Sequence, residues 1–148
     1  MGQNKIRLII KNEIENLSYM FYDCKSLKNI TELEYLDTKD INNFSYIFSG
    51  CSLLPDIKPI QKWNVSNGKD FNHMFSGCSI LSDIKQLQNW NVSNGINFSH
   101  MFSKCSSLSD IKPLEYWVIP NGKNFDFMFS ECSSLLDNNT LEHFKVQK

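Results

Sequence analysis

Cysteines fall at Cys24, Cys51, Cys78, Cys105 and Cys132, each 27 residues after the last. The same register carries an aromatic column, Phe21, Phe48, Phe75, Phe102 and Phe129, and a leucine column, Leu27, Leu54, Leu81, Leu108 and Leu135. Met20, Ile47, Met74, Met101 and Met128 form another, and Leu36, Trp63, Trp90, Trp117 and Phe144 a looser one. A strict period of this length is the mark of stacked repeats. One such unit cannot bury its apolar side chains alone, so each column becomes continuous only when neighbours stack.

Within the unit, Phe71, Met74, Phe75 and Cys78 lie at i, i+3, i+4 and i+7, which predicts one buried face of a short helix of about two turns. The preceding column, Asn16, Asn43, Asp70, Asn97 and Asn124, holds only Asx residues, as a helix N-cap requires. Gly50 and Gly77 stand at the expected helix end, where a left-handed residue is favoured. "SILSDIKQL" follows, with Leu81, Ile84 and Leu87 three apart, and is read as a short strand between turns. Pro59 and Pro113 are expected to stop any helix there. "WNVSNG" closes the unit, and Gly68, Gly95 and Gly122 are expected at positive φ. The fold class expected is an α/β solenoid, a leucine-rich-repeat-like, right-handed stack of about five 27-residue repeats. Short parallel strands would line one side and short helices the other. Residues 1–15 are read as an N-terminal capping strand on the alternation of Ile6, Leu8 and Ile10, and 16–148 as the solenoid. The last stretch keeps Leu141, Phe144 and Val146 in register but stops before another helix. An apolar edge left open there would favour end-to-end self-association.

A formal net charge of -1 gives no basic footprint, so no nucleic-acid partner is expected. No stretch approaches the roughly 18 apolar residues of a membrane span. "MGQNKIRLIIKNEI" lacks the apolar core and cleavage site of a secretory signal. Ile6 stands where a myristoylation pattern wants Ser or Thr. The chain is therefore expected to be cytoplasmic, or at the cell surface if it is a piece of a larger protein. Sequons begin at Asn16, Asn29, Asn43, Asn64, Asn91, Asn97 and Asn138, but three of these asparagines belong to the expected cap column and are weak evidence of secretion.

The columns also weigh on chemistry. A ladder points its thiols in parallel, whereas a zinc site needs ligands that converge, so the cysteines are read as small buried apolar residues. His73 and His100 share a column with Tyr19, Tyr46 and Phe127, off the buried face. This is read as a partly exposed aromatic stripe in preference to a two-histidine metal site. Asp56, Asp83 and Asp110 beside Lys58, Lys85 and Lys112 form a charged pattern on the expected sheet face, and these six residues are the candidate binding surface. No nucleophile–base pair, phosphate loop or carboxylate pair is recognisable, so no catalytic residue, metal or cofactor is expected.

The run "FNHMFSGCSILSDIKQLQNWNVSNGINFSHMFSKCSSLSDIKPLEYW" resembles the BspA-type leucine-rich repeat family, most of all its DUF285 or Mycoplasma-lipoprotein-type subgroup built on "MFxxCSSLxxL…WNVSNVxxM". The likeness runs from about Asn16 to Phe144. It departs at Gly68, Gly95 and Gly122, where the subgroup usually has Val, and in opening the helix with Phe instead of Met. The resemblance implies a binding or adhesion module without catalytic residues. The function expected is a non-catalytic protein–protein interaction module with a protein partner. The alternative is a structural or adhesive segment of a cell-surface protein.

Overall fold

The computed structural model describes residues 14–135, and across that span the backbone itself keeps the repeat register. Parallel bridges join Asn16 to Asn43, Asn43 to Asp70, Asp70 to Asn97 and Asn97 to Asn124. These bridges stay isolated. Among the described residues there is no strand, no sheet and no α-helix, and the regular elements are four 3₁₀ helices. The expected α/β solenoid is thereby corrected: the repeats stack, but they are built of turns. The proposed capping strand, except for its last two residues, and the Leu141–Phe144–Val146 tail lie outside the described residues.

The expected helix at 71–78 shows why. The amides of Phe71, His73, Phe75 and Gly77 donate to the carbonyls of Asn97, Ser99, Met101 and Ser103 in the next coil, at 2.8, 3.0, 2.9 and 2.7 Å. The alternate amides of Met74, Ser76 and Cys78 close turns onto Phe71, His73 and Phe75. A helix would keep all of these donors for itself and leave no bonds for its neighbour. His73 (φ 54) and Gly77 (φ 75) are the left-handed third residues of two consecutive type II-like turns. A four-residue turn repeated once puts residues i, i+3, i+4 and i+7 on one side, as a helix does. Phe71, Met74, Phe75 and Cys78 are accordingly all fully buried.

The Asx column forms the bonds of a cap without the helix. The side-chain oxygens of Asn16, Asn43, Asp70, Asn97 and Asn124 each accept the amide two residues on. A second set, Asn29, Asp56, Asp83 and Asp110, does the same just ahead of the 3₁₀ helices Thr31–Tyr35, Lys58–Lys62, Lys85–Leu87 and Lys112–Tyr116. These helices replace the expected strand. Pro59 and Pro113 are their second residues, so proline opens a helix here, its fixed φ suiting the first turn. Gln86 holds that place in the third helix, which is the shortest.

Inside the stack stand two phenylalanine ladders, one of five rings and one of four. Phe21, Phe48, Phe75, Phe102 and Phe129 stack at 5.5–5.8 Å, and Phe44, Phe71, Phe98 and Phe125 at 5.2–5.4 Å. The indoles of Trp63 and Trp117 close the core by donating to the carbonyls of Leu33 and Leu87. Gly68, Gly95 and Gly122 do not take the expected positive φ. They are small for another reason: a Cβ there would meet the ring tip of Phe71, Phe98 or Phe125 at 2.2–2.4 Å. Glycine at one position and phenylalanine three residues on are one packing feature.

Candidate functional site

The sequence singled out three columns, and the structure treats them differently. Asp56, Asp83 and Asp110 are bound into the backbone, each accepting the amide of Lys58, Lys85 or Lys112 at 2.9 Å. This amide, and then the lysine ammonium, holds the Asp83 carboxyl below its ordinary range. The Lys85–Asp83 ion pair, at 2.9 Å, lies within one repeat. All three lysines are exposed at the mouths of the 3₁₀ helices, and among the described residues there is no sheet whose face they could line. The turn chemistry already accounts for the aspartates.

The thiol ladder is interior. Cys51, Cys78, Cys105 and Cys132 are buried, and each thiol donates to the carbonyl of Phe21, Phe48, Phe75 or Phe102 at 3.0–3.3 Å. Burial pushes the Cys51 thiol up to about 12 and raises Cys78, Cys105 and Cys132 as well. Only Cys24 is exposed, and all five thiols are free. Two results follow. A thiol reagent at pH near 8 is expected to label Cys24 rapidly and the other four only on unfolding, and rapid native labelling of a second thiol would refute this. Because the folded thiols titrate above the ordinary value of 9.0, their contribution to stability is complete below that pH and is lost as pH rises toward about 12. Denaturant midpoints should therefore fall on the alkaline side, and less steeply in a Cys105→Ala variant.

The third column forms a surface row. Tyr19, Tyr46, His73, His100 and Phe127 stack in order, with centroids 4.5, 4.4, 4.4 and 5.0 Å apart and planes within 19° of parallel. Every member has a left-handed backbone, φ 54–62. Left-handed φ costs a non-glycine residue roughly 1–2 kcal/mol. Stacking of aromatic pairs returns about 0.5–1.5 kcal/mol each, which lets rings occupy sites suited to glycine or asparagine. Tyr19 and Phe127, at the two ends, are 54% and 64% exposed. Burial, then the His100 imidazole, lowers the pKa of His73, whose Nδ1 lies 3.0 Å from the Asn72 side-chain oxygen. Imidazoles stacked face to face point their nitrogens outward in parallel, not at a common ion. Among the described residues no group of three or more His, Cys, Asp or Glu side chains could hold a metal ion.

Sequence reasoning found this stripe but missed Tyr22. Its ring lies T-shaped to both Tyr19 (5.4 Å) and Tyr46 (6.1 Å), beside the row and between two rungs. The available signal was its column, which continues as Ser49, Ser76, Ser103 and Ser130. Burial and the neighbouring tyrosines raise the Tyr46 phenol above its ordinary value.

Among the described residues no helix is long and apolar enough to cross a membrane. The family described as "Mycoplasma protein of unknown function, DUF285" matches residues 15–144. No curated protein and no solved structure matches the chain.

Proposed function

This chain belongs to the DUF285 family of Mycoplasma-type repeat proteins, and we propose that it works as a non-catalytic module that binds a protein partner through its aromatic row. The observation that carries this reading is the placement of bulky rings on left-handed backbone in five successive coils, at the surface. Backbone strain of this kind gathers at ligand-binding sites, where another requirement overrides the cheaper residue. The parallel left-handed column, Asp23, Gly50, Gly77, Lys104 and Glu131, uses glycine twice and no aromatic residue. Exposed aromatic residues supply large contact area and are enriched among interface hot spots. The buried thiols stay protonated at neutral pH, which supports a role without nucleophilic catalysis.

The test compares partner capture by wild-type protein with two triple variants. One is Tyr46→Asn, His73→Asn, His100→Asn, chosen because asparagine tolerates left-handed φ and leaves the turns unstrained. The other, Lys58→Glu, Lys85→Glu, Lys112→Glu, reverses the charged column. The row variant is expected to recover at least about tenfold less partner, the loss of a modest hot spot, while the lysine variant matches wild type. Undiminished capture by a row variant of native circular dichroism would refute the reading. Loss confined to the lysine variant would move the site to the charged column.

A further inference from the structure

Tyr22 is an aromatic side chain docked on the row from within the chain. It sits at 66° and 67° to the Tyr19 and Tyr46 planes, against the edges of two rungs. The rings of the row face one another, so what they turn outward is their edges, the positive rim of the aromatic quadrupole. A ring crossing at a steep angle meets that rim with its negative face, an attractive arrangement that an aliphatic side chain cannot reproduce.

The same backbone recurs one coil on and again after that. The amides of Tyr22, Ser49, Ser76 and Ser103 close onto the carbonyls of Tyr19, Tyr46, His73 and His100 at 3.1, 3.2, 3.1 and 3.0 Å. Each serine therefore leaves the backbone as Tyr22 does but stops at one hydroxyl. Ser49 and Ser103 are buried, whereas Ser76 is partly exposed beside the His73–His100 pair. We propose that the place beside His73 and His100, above Ser76, is a docking site for an aromatic side chain of the protein partner, filled as Tyr22 fills the place beside Tyr19 and Tyr46. This rests on the row being the contact surface and names what that surface takes. Tyr46 and Phe127 flank the histidine pair in the row. Burial, then the His100 imidazole, keeps His73 neutral more readily than an ordinary histidine.

The experiment follows the ring protons of His73 and His100 by NMR in the full chain. The probes are a neutral Ser/Gly peptide carrying one tyrosine and the same peptide carrying leucine. The tyrosine peptide should move both histidines upfield, as protons above an aromatic face are moved, and the leucine peptide should not. Ser76→Tyr supplies the ring in cis, so it should show the upfield shift without peptide and lose the response to it. Equal response to both peptides, or response to neither, overturns the proposal, and the wild-type comparison stands even if Ser76→Tyr does not fold. Loss of partner in the row variant with no discrimination between peptides would sink this proposal alone. Undiminished partner capture by that variant would sink the contact-surface reading beneath it.

Discussion

Replacing Phe75 by alanine is expected to cost the fold about 3–5 kcal/mol, the range for emptying a buried phenylalanine site. Phe75 is fully buried, with Phe48 stacked at 5.8 Å on one face and Phe102 at 5.5 Å on the other. A neighbouring coil cannot slide in to fill the hole, because its position is fixed by interchain-like bonds along the backbone. The Phe48 amide is tied to the Met74 carbonyl and the Phe75 amide to Met101. Set against a domain stability of roughly 5–15 kcal/mol, this loss is a large fraction of the total. Phe21→Ala, at a partly buried rung of the same ladder, should cost no more than about 1.5–3 kcal/mol, the gain from fully burying one such side chain. Urea denaturation of the two variants measures the difference. Equal losses would mean that the ladder is not a continuous core. In a stack where each unit touches only its neighbours, amide exchange in Phe75→Ala should rise most in the coils adjoining the missing ring.

The repeat and its buried columns were legible because burial depends on register alone. Phe71, Met74, Phe75 and Cys78 are interior in a helix and in a pair of four-residue turns alike, so their spacing could not choose between the two. The distinguishing sign was conformational. Gly50 and Gly77 hint at left-handed residues, but Asp23, Lys104 and Glu131 share their column. The companion column is Tyr, Tyr, His, His and Phe; its tyrosines and phenylalanine ordinarily avoid positive φ, histidine less so, and no glycine or asparagine there signalled the turns that form. The Asx residues behaved as their chemistry requires, accepting an amide two residues on, which is as natural in an Asx turn as at an N-cap. The candidate surfaces were half legible. Off-face placement identified the aromatic stripe, and the spacing identified the charged column but not that its aspartates also hold the turns. Tyr22 was hidden by being a single departure from a serine column.

Gly95→Val is expected to destabilise by about 1–3 kcal/mol through overpacking, and Phe98→Met in the same chain to recover part of that loss. A Cβ at Gly95 would stand 2.2 Å from the Phe98 ring tip, 2.7 Å from a second ring carbon and 3.0 Å from the Val92 carbonyl oxygen. A free ring would swing aside. Phe98 cannot, since Phe71 at 5.2 Å and Phe125 at 5.4 Å hold its two faces. Ile41 occupies the glycine column ahead of Phe44, and there the ladder ends: the residue one coil before Phe44 is Leu17, not a ring. Gly95 is thus the position where the conflict is sharpest. Phe98→Met alone should also destabilise, by about 1–3 kcal/mol, because it removes two stacking partners at about 0.5–1.5 kcal/mol each. The double variant places valine at 95 and methionine at 98, the pair in the repeat pattern that this sequence resembles, so the two substitutions should prove coupled. In a double-mutant cycle the pair should be less destabilised than the sum of the singles by at least about 1 kcal/mol, within the range for residues in contact. Strict additivity would separate the glycine from the ring. A favourable coupling would establish that the glycine at 95 is what lets the aromatic ladder pass through Phe98.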